Sequence, residues 1–183
     1  MVLEVHWSYF HANFLEIAIL KQESPVGGLV RMTVSPLDYR YGRDIAKEIW
    51  SREGRHARSL EVERALIWAH SKMGRVSPED YDAVAEISDP GIVTADRVDE
   101  LEAETKHDIM ALTKAMSEAA GDAGWCIHLG ATSNDIVDSA VALQIRDSID
   151  IQRQTLVQLI LNMCRIAETE SGTVMLGRTH GQA

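Results

Sequence analysis

The sequence predicts an all-α protein: a small N-terminal helical domain followed by the beginning of a long-helix bundle. Three observations predict it. Residues that cost little in a helix (Ala, Leu, Ile, Glu and Arg) are plentiful. Apolar residues recur at three- and four-residue spacing over long stretches. From Asn134 to Glu170 neither proline nor glycine interrupts the chain. The 183 residues are 45% apolar and 25% charged, a globular composition with material for a core. A formal net charge of −10 argues against nucleic acid as a partner, which needs a basic face. An anionic substrate stays open, because a cleft can be basic on an acidic protein. Cys126 and Cys164 are the only cysteines; they make no disulfide framework and read as reduced thiols in a cytoplasmic setting.

Residues 1–31 admit two readings. One is a native N-terminal helix, amphipathic from Asn13 to Lys21. The other takes Met32 as the true start, with 1–31 a translated leader. Neither a signal peptide nor a membrane span fits, since there is no basic n-region and Glu16 interrupts the best apolar run.

Helical spacing begins at Arg43 and continues to Met73. Ile45 and Ile49 form one pair, and Val62, Ala65, Leu66, Ala69 and Met73 a longer stripe, with Gly54 as the expected break. Gly74 is the stop, because glycine takes the left-handed cap without strain. Ser77-Pro78-Glu79-Asp80 opens a helix to about Ile87: an N-cap serine, proline in the first turn, and acids against the positive helix end. Asp89-Pro90-Gly91 is a turn. Thr94 opens a helix whose stripe is Val98, Leu101, Thr105, Ile109, Leu112 and Met116, ended by Gly121. GDAGWCIHLGA is then a loop. Thr132 or Ser133 caps the last helix, with Asp135 placed to complete a capping box. That helix spans about 55 Å at 1.5 Å per residue. Its acids exclude a membrane, and its apolar positions (Val141, Ile145, Ile149, Leu156, Ile160, Met163, Ala167) drift around the axis. It therefore calls for several packing partners, more than this chain supplies. The expected domains are 32–131, helical, and 132–183, the start of the bundle.

Four stretches concentrate reactive side chains. Asp38-Tyr39-Arg40-Tyr41-Gly42-Arg43 could clamp a phosphate, because guanidinium forks match phosphate oxygens; alone, it reads more simply as a solvated helix start. Lys106-His107-Asp108 reads as a mid-helix triplet, either a solvated face or an oriented imidazole aimed into a cleft. Gly130-Ala131-Thr132-Ser133-Asn134-Asp135 puts two hydroxyls at the mouth of a long helix, where free N–H groups and the helix dipole favour a carboxylate. Gly177-Arg178-Thr179-His180-Gly181 flanks an imidazole with glycines, a charge and a donor. No stretch has metal-ligand spacing: Cys126-Ile127-His128 lacks a second pair.

In order along the chain, RYGRDIAKEIWSREGR, KHDIMALTKAMSE, IHLGATSNDIVDSA and MLGRTHGQA resemble the adenylosuccinate lyases of the fumarase/aspartase superfamily. The resemblance runs from about residue 32 to the end. It implies a homotetramer built on a bundle of long helices, with active sites shared between subunits, no cofactor and no metal. The implied reaction is β-elimination of fumarate from a succinylated nucleotide, without nucleic-acid or membrane partners. It assigns His180 as general acid, and Thr132 and Ser133 to the succinyl end. Arg40 and Tyr41 fall to the nucleotide phosphate, and Lys106, His107 and Asp108 to substrate binding, with His107 assisting orientation; Thr179 joins the expected substrate contacts on its own chemistry, as a donor beside His180. The family's general base, a serine in a Ser-Ser-x-Met-Pro-x-Lys-x-Asn-Pro loop, has no counterpart in these 183 residues. The chain alone is therefore expected to be inactive. A carboxymuconate cycloisomerase and a non-enzymatic truncated product are the alternatives.

Overall fold

A computed structural model describes residues 41–177 and 180–181. The readings of residues 1–31, the start at Met32, and the site residues Arg40, Arg178 and Thr179 lie outside the described residues. Within them the elements are α1 (Asp44–Ile49), α2 (Arg52–Lys72), α3 (Pro78–Ile87), α4 (Ala95–Thr105), α5 (Asp108–Ala120), a 3-10 turn (Gly121–Cys126) and α6 (Ser133–Thr169). No strand occurs among the described residues, as the composition and periodicity predict.

The expected break at Gly54 falls four residues earlier. Trp50 ends α1, and Ser51 is the N-cap of α2, its hydroxyl accepting the Gly54 amide at 2.9 Å. Gly54 has a different task. A Cβ there would stand 2.3 Å from the Glu48 carbonyl oxygen, so glycine lets the end of α1 lie against the first turn of α2.

The α2 stripe also needs correction. Its fully buried positions are Leu60, Glu63 and Ile67, with His56, Ser59 and His70 nearly so. Val62 and Leu66 are half-buried, Ala65 is exposed and Met73 is 57% exposed. Four of these six buried residues are polar, so an apolar pattern points about one position off the true core face.

The start at Ser77 and the stop at Ile87 are as expected, with Ser77 Oγ accepting the Asp80 amide at 3.0 Å. Thr94 caps α4, its hydroxyl accepting the Arg97 amide at 3.2 Å. The single helix expected from Thr94 to Gly121 is two helices. Lys106 turns left-handed at φ 56 and His107 restarts the chain as the N-cap of α5. The apolar stripe survives the break, since Leu101, Ile109, Leu112 and Met116 are all buried.

The core gathers Leu60, Ile67, Val84, Leu101, Met116 and Ile136, with α2 between α3 and α6 and with α4 packed on α5. The long helix matches its expected extent at 37 residues. Its first half docks on the rest: Ile136, Ala140 and Gln144 are buried, Gln144 donates to the Ile49 carbonyl at 2.6 Å, and Ser148 accepts from Trp50 Nε1 at 2.9 Å. Beyond that, Leu156, Leu159, Ile160, Met163 and Ile166 are all exposed by half or more.

Candidate active site

The break at Lys106 brings two helix N-termini together. His107 starts α5 and Ser133 starts α6. Each helix leaves backbone N–H groups unpaired at its N-terminus and carries a partial positive charge there. His107 caps its own helix, with Nδ1 accepting the Met110 amide at 3.3 Å. A neutral imidazole that accepts at Nδ1 carries its proton on Nε2. Nε2 is 3.4 Å from Ser133 Oγ, so the ring bridges the two helix starts as a weak donor to the serine. Two stretches that lie 26 positions apart in sequence thus meet in one place.

The charges here are mixed. Asp135 Oδ2 accepts the Thr132 amide at 2.9 Å, so one of the donors at the mouth of α6 is taken by a carboxylate. Asp108 Oδ1 accepts the Ile109 amide at 2.8 Å, and its Oδ2 is 3.6 Å from Arg55 Nη2. Lys106 and Thr132 are exposed, and Ser133 is half-buried. Beside Asp108 opens a cleft of about 420 Å³, lined by Trp50, Arg52, Arg55, His56, Asp99 and Asp108. The arrangement offers a half-open imidazole, two hydroxyls and helix-end dipoles to an anionic group.

Other expected residues stand apart. Tyr41 is 64% exposed ahead of α1. His180 is exposed in a turn with φ 49, and no hydrogen bond among the described residues joins it to His107 or Ser133. Among the described residues no group of three or more His, Cys, Asp or Glu side chains is placed to hold a metal ion, and no helix is long and apolar enough to cross a membrane.

Sequence reasoning missed the residues that hold this junction in place. The loop into α6 is gripped from α2. Glu63 accepts the His128 amide at 3.2 Å and pairs with His128 Nδ1 at 2.7 Å. His70 Nε2 lies 2.8 Å from the Leu129 carbonyl oxygen. A third member, His56 Nε2, lies 2.6 Å from the Val93 carbonyl in the loop before α4. Burial pushes the Glu63 carboxyl above the usual carboxylate range, against the pull of its His128 hydrogen bonds. Burial pushes the His56 imidazole down, against its bond to Val93. The available signal was the seven-residue spacing of His56, Glu63 and His70, two helical turns per step.

An all-α chain whose second and third reactive stretches are carried on helix starts, and whose long helix begins at a Thr-Ser pair, has a close match among known proteins. The profile of the lyase family matches residues 38–183, and the chain belongs to that family. Among its relatives, the adenylosuccinate lyase of Pyrococcus horikoshii is 45% identical over 151 residues, covering 82% of this chain and 34% of that protein. The adenylosuccinate lyase of Archaeoglobus fulgidus is 47% identical over 152 residues, covering 83% and 33%. Two solved structures share the fold. A fumarate lyase from Mesorhizobium sp. BNC1 superposes with a TM-score of 0.67 at 29% identity, covering 78% of this chain and 34% of that one. The β-carboxy-cis,cis-muconate cycloisomerase of Acinetobacter calcoaceticus sp. ADP1 does so with 0.66 at 27% identity, covering the same shares. The chain thus spans about a third of the length of the curated relatives it matches.

Proposed function

We propose that this chain is the N-terminal part of an adenylosuccinate lyase, which eliminates fumarate from adenylosuccinate to give AMP, and likewise from the succinylcarboxamide intermediate of purine synthesis. In this β-elimination a base takes a proton from carbon, the carbon–nitrogen bond breaks, a carbon–carbon double bond forms, and an acid protonates the departing nitrogen. The transient carbanion is stabilised through its neighbouring carboxylate, which needs donors fixed in advance. The observation that carries the reading is the contact of His107 with Ser133 at two converging helix N-termini, because that is where a substrate carboxylate finds such donors. In this reading Thr132 and Ser133 hold the succinyl end, and His107, with Lys106 and Asp108, orients the substrate. Arg40 and Tyr41 take the phosphate, Thr179 adds a donor, and His180 is the general acid.

Residues 32–131 then form the N-terminal helical domain, and 132–183 begin the bundle. The working enzyme is a cytoplasmic homotetramer that needs no cofactor. The relatives' names support adenylosuccinate as the substrate. The likeness to the cycloisomerase supports the second reading, a carboxymuconate cycloisomerase.

The deciding assay expresses the complete reading frame that carries this sequence and offers it both substrates. Fumarate release from adenylosuccinate is the expected result, and turnover of carboxymuconate alone reverses the choice. Residues 1–183 alone should release no fumarate above background, since they contain no counterpart of the family's serine base; release would show that the base lies within them.

A further inference from the structure

We infer that Glu63 and His70 are positioning residues: by gripping residues 128 and 129 from α2, they set the Thr132 and Ser133 hydroxyls opposite His107. The inference rests on the reading of those hydroxyls as substrate contacts. The loop from Ile127 to Ala131 has no regular structure of its own. Two of its residues are left-handed, His128 at φ 61 and Gly130 at φ 70. A histidine in that region is strained, and such a conformation persists only where its surroundings hold it. The surroundings here are two neighbouring grips. The Glu63 side chain is fully buried and bonds both the backbone and the ring of His128. One heptad further along the same helix face, His70 bonds the carbonyl of the next residue. Its own Nδ1 is buried without a partner, so the ring is committed to the loop at a cost. Three residues beyond Leu129 the chain reaches Thr132, where α6 begins. The 3.4 Å separation of Ser133 Oγ from His107 Nε2 is therefore set from α2, an element that bears no residue of the proposed substrate site.

Imidazole 15N spectra and amide exchange on the 183-residue chain test this. With Glu63 as acceptor, the His128 ring carries its proton on Nδ1. In Glu63→Gln the amide oxygen takes the backbone N–H and the amide nitrogen donates to the ring, so that proton moves to Nε2 while the loop stays held. His70→Phe removes the donor to Leu129, fills the same space and relieves the orphaned Nδ1, so it keeps the fold. It should speed exchange at residues 128–135 roughly tenfold relative to amides inside α5, and shift the His107 Nε2 resonance as the Ser133 contact is lost. Exchange rising equally in the loop and in α5, or an unmoved His107 resonance, overturns the inference. In the complete enzyme, kcat/KM of His70→Phe should fall about tenfold or more, because small misplacements of contact groups are costly. A loosened loop with unchanged kcat/KM also overturns it. If the unsubstituted enzyme releases no fumarate, the lyase reading fails, and the spectra still decide whether the grip exists.

Discussion

Two parts of this protein invert the usual rule of burial. Along α2, His56, Glu63 and His70 are buried. Along the second half of α6, Leu156, Val157, Leu159, Ile160, Met163 and Ile166 are exposed by 40 to 63%. Both are regular helices. What differs is the neighbours. α2 has α3 on one side and α6 on the other, together with two loops whose backbone groups need partners. Buried polar side chains on this helix satisfy those groups, and a polar group inside a protein is tolerable when it is bonded. Past Thr155, whose hydroxyl accepts from Arg43 at 3.1 Å, α6 has no such packed neighbours among the described residues, so its apolar side chains face outward. Hydrophobicity states what a residue would gain from burial; the fold decides whether a surface is there to bury it.

The sharpest way to break this comparison is to cut into the α2 core. Leu60 is fully buried beside the polar ladder. Leu60→Ala should cost about 2–5 kcal/mol, as large-to-small core changes do. Urea unfolding followed by circular dichroism at 222 nm, a wavelength that reports helix, measures it. A loss under about 1 kcal/mol would mean that α2 is not the centre of the packing.

The second test concerns the ladder itself and its pH dependence. His56 is buried and its imidazole titrates below 6.5, the ordinary value. Charged groups near it are Arg52, which lowers it further, and Asp99 and Glu53, which raise it. Above pH 6.5 the ring is neutral in both folded and unfolded chains, and its contribution to stability is fully present. As pH falls below 6.5 the unfolded chain takes the proton first, so stability is lost progressively down to the lower folded value. Glu63 works in the opposite sense: its carboxyl is raised from 4.5, so its contribution is present below 4.5 and falls as pH rises through the folded value. The two act in opposite senses on acidification, which makes a difference measurement necessary. Subtracting the stability profile of His56→Phe from that of the parent chain should leave a curve that declines on acidification below pH 6.5. A flat difference would show that His56 titrates alike folded and unfolded.

How much of this was legible in the sequence follows the same division. The all-α class, the start at Ser77, the stop at Ile87 and the full extent of α6 rest on local rules of capping, proline and glycine, and those rules act within a few residues. The hydroxyl pair at the mouth of α6 was legible for the same reason. The break at Lys106 was not: the apolar stripe runs on through it, and the left-handed turn there is closed by His107 and by contacts with Ser133 from another part of the chain. The grip of Glu63 on His128 spans 65 positions, and the need for a buried carboxylate exists only once the strained loop is in place. The true face of α2 was misread because an apolar stripe marks only apolar side chains, and most of that face is polar.

The smallest expected effect lies at the far end of α6, and it separates the two regions most cleanly. Ile160 is 56% exposed and is as apolar as any residue in the core. If burial rather than residue type governs stability, Ile160→Ala in the 183-residue chain should change the unfolding free energy by no more than about 0.5 kcal/mol, the range of surface substitutions. Alanine is the better helix former, so any small change should favour the variant. Should Ile160→Ala instead cost as much as Leu60→Ala, the face is already covered in solution, and the added cost should then rise with protein concentration, since a covering second molecule stabilises by mass action. A large loss at every concentration would mean that the face is covered from within the same chain, and the contrast drawn between the two helices would fall.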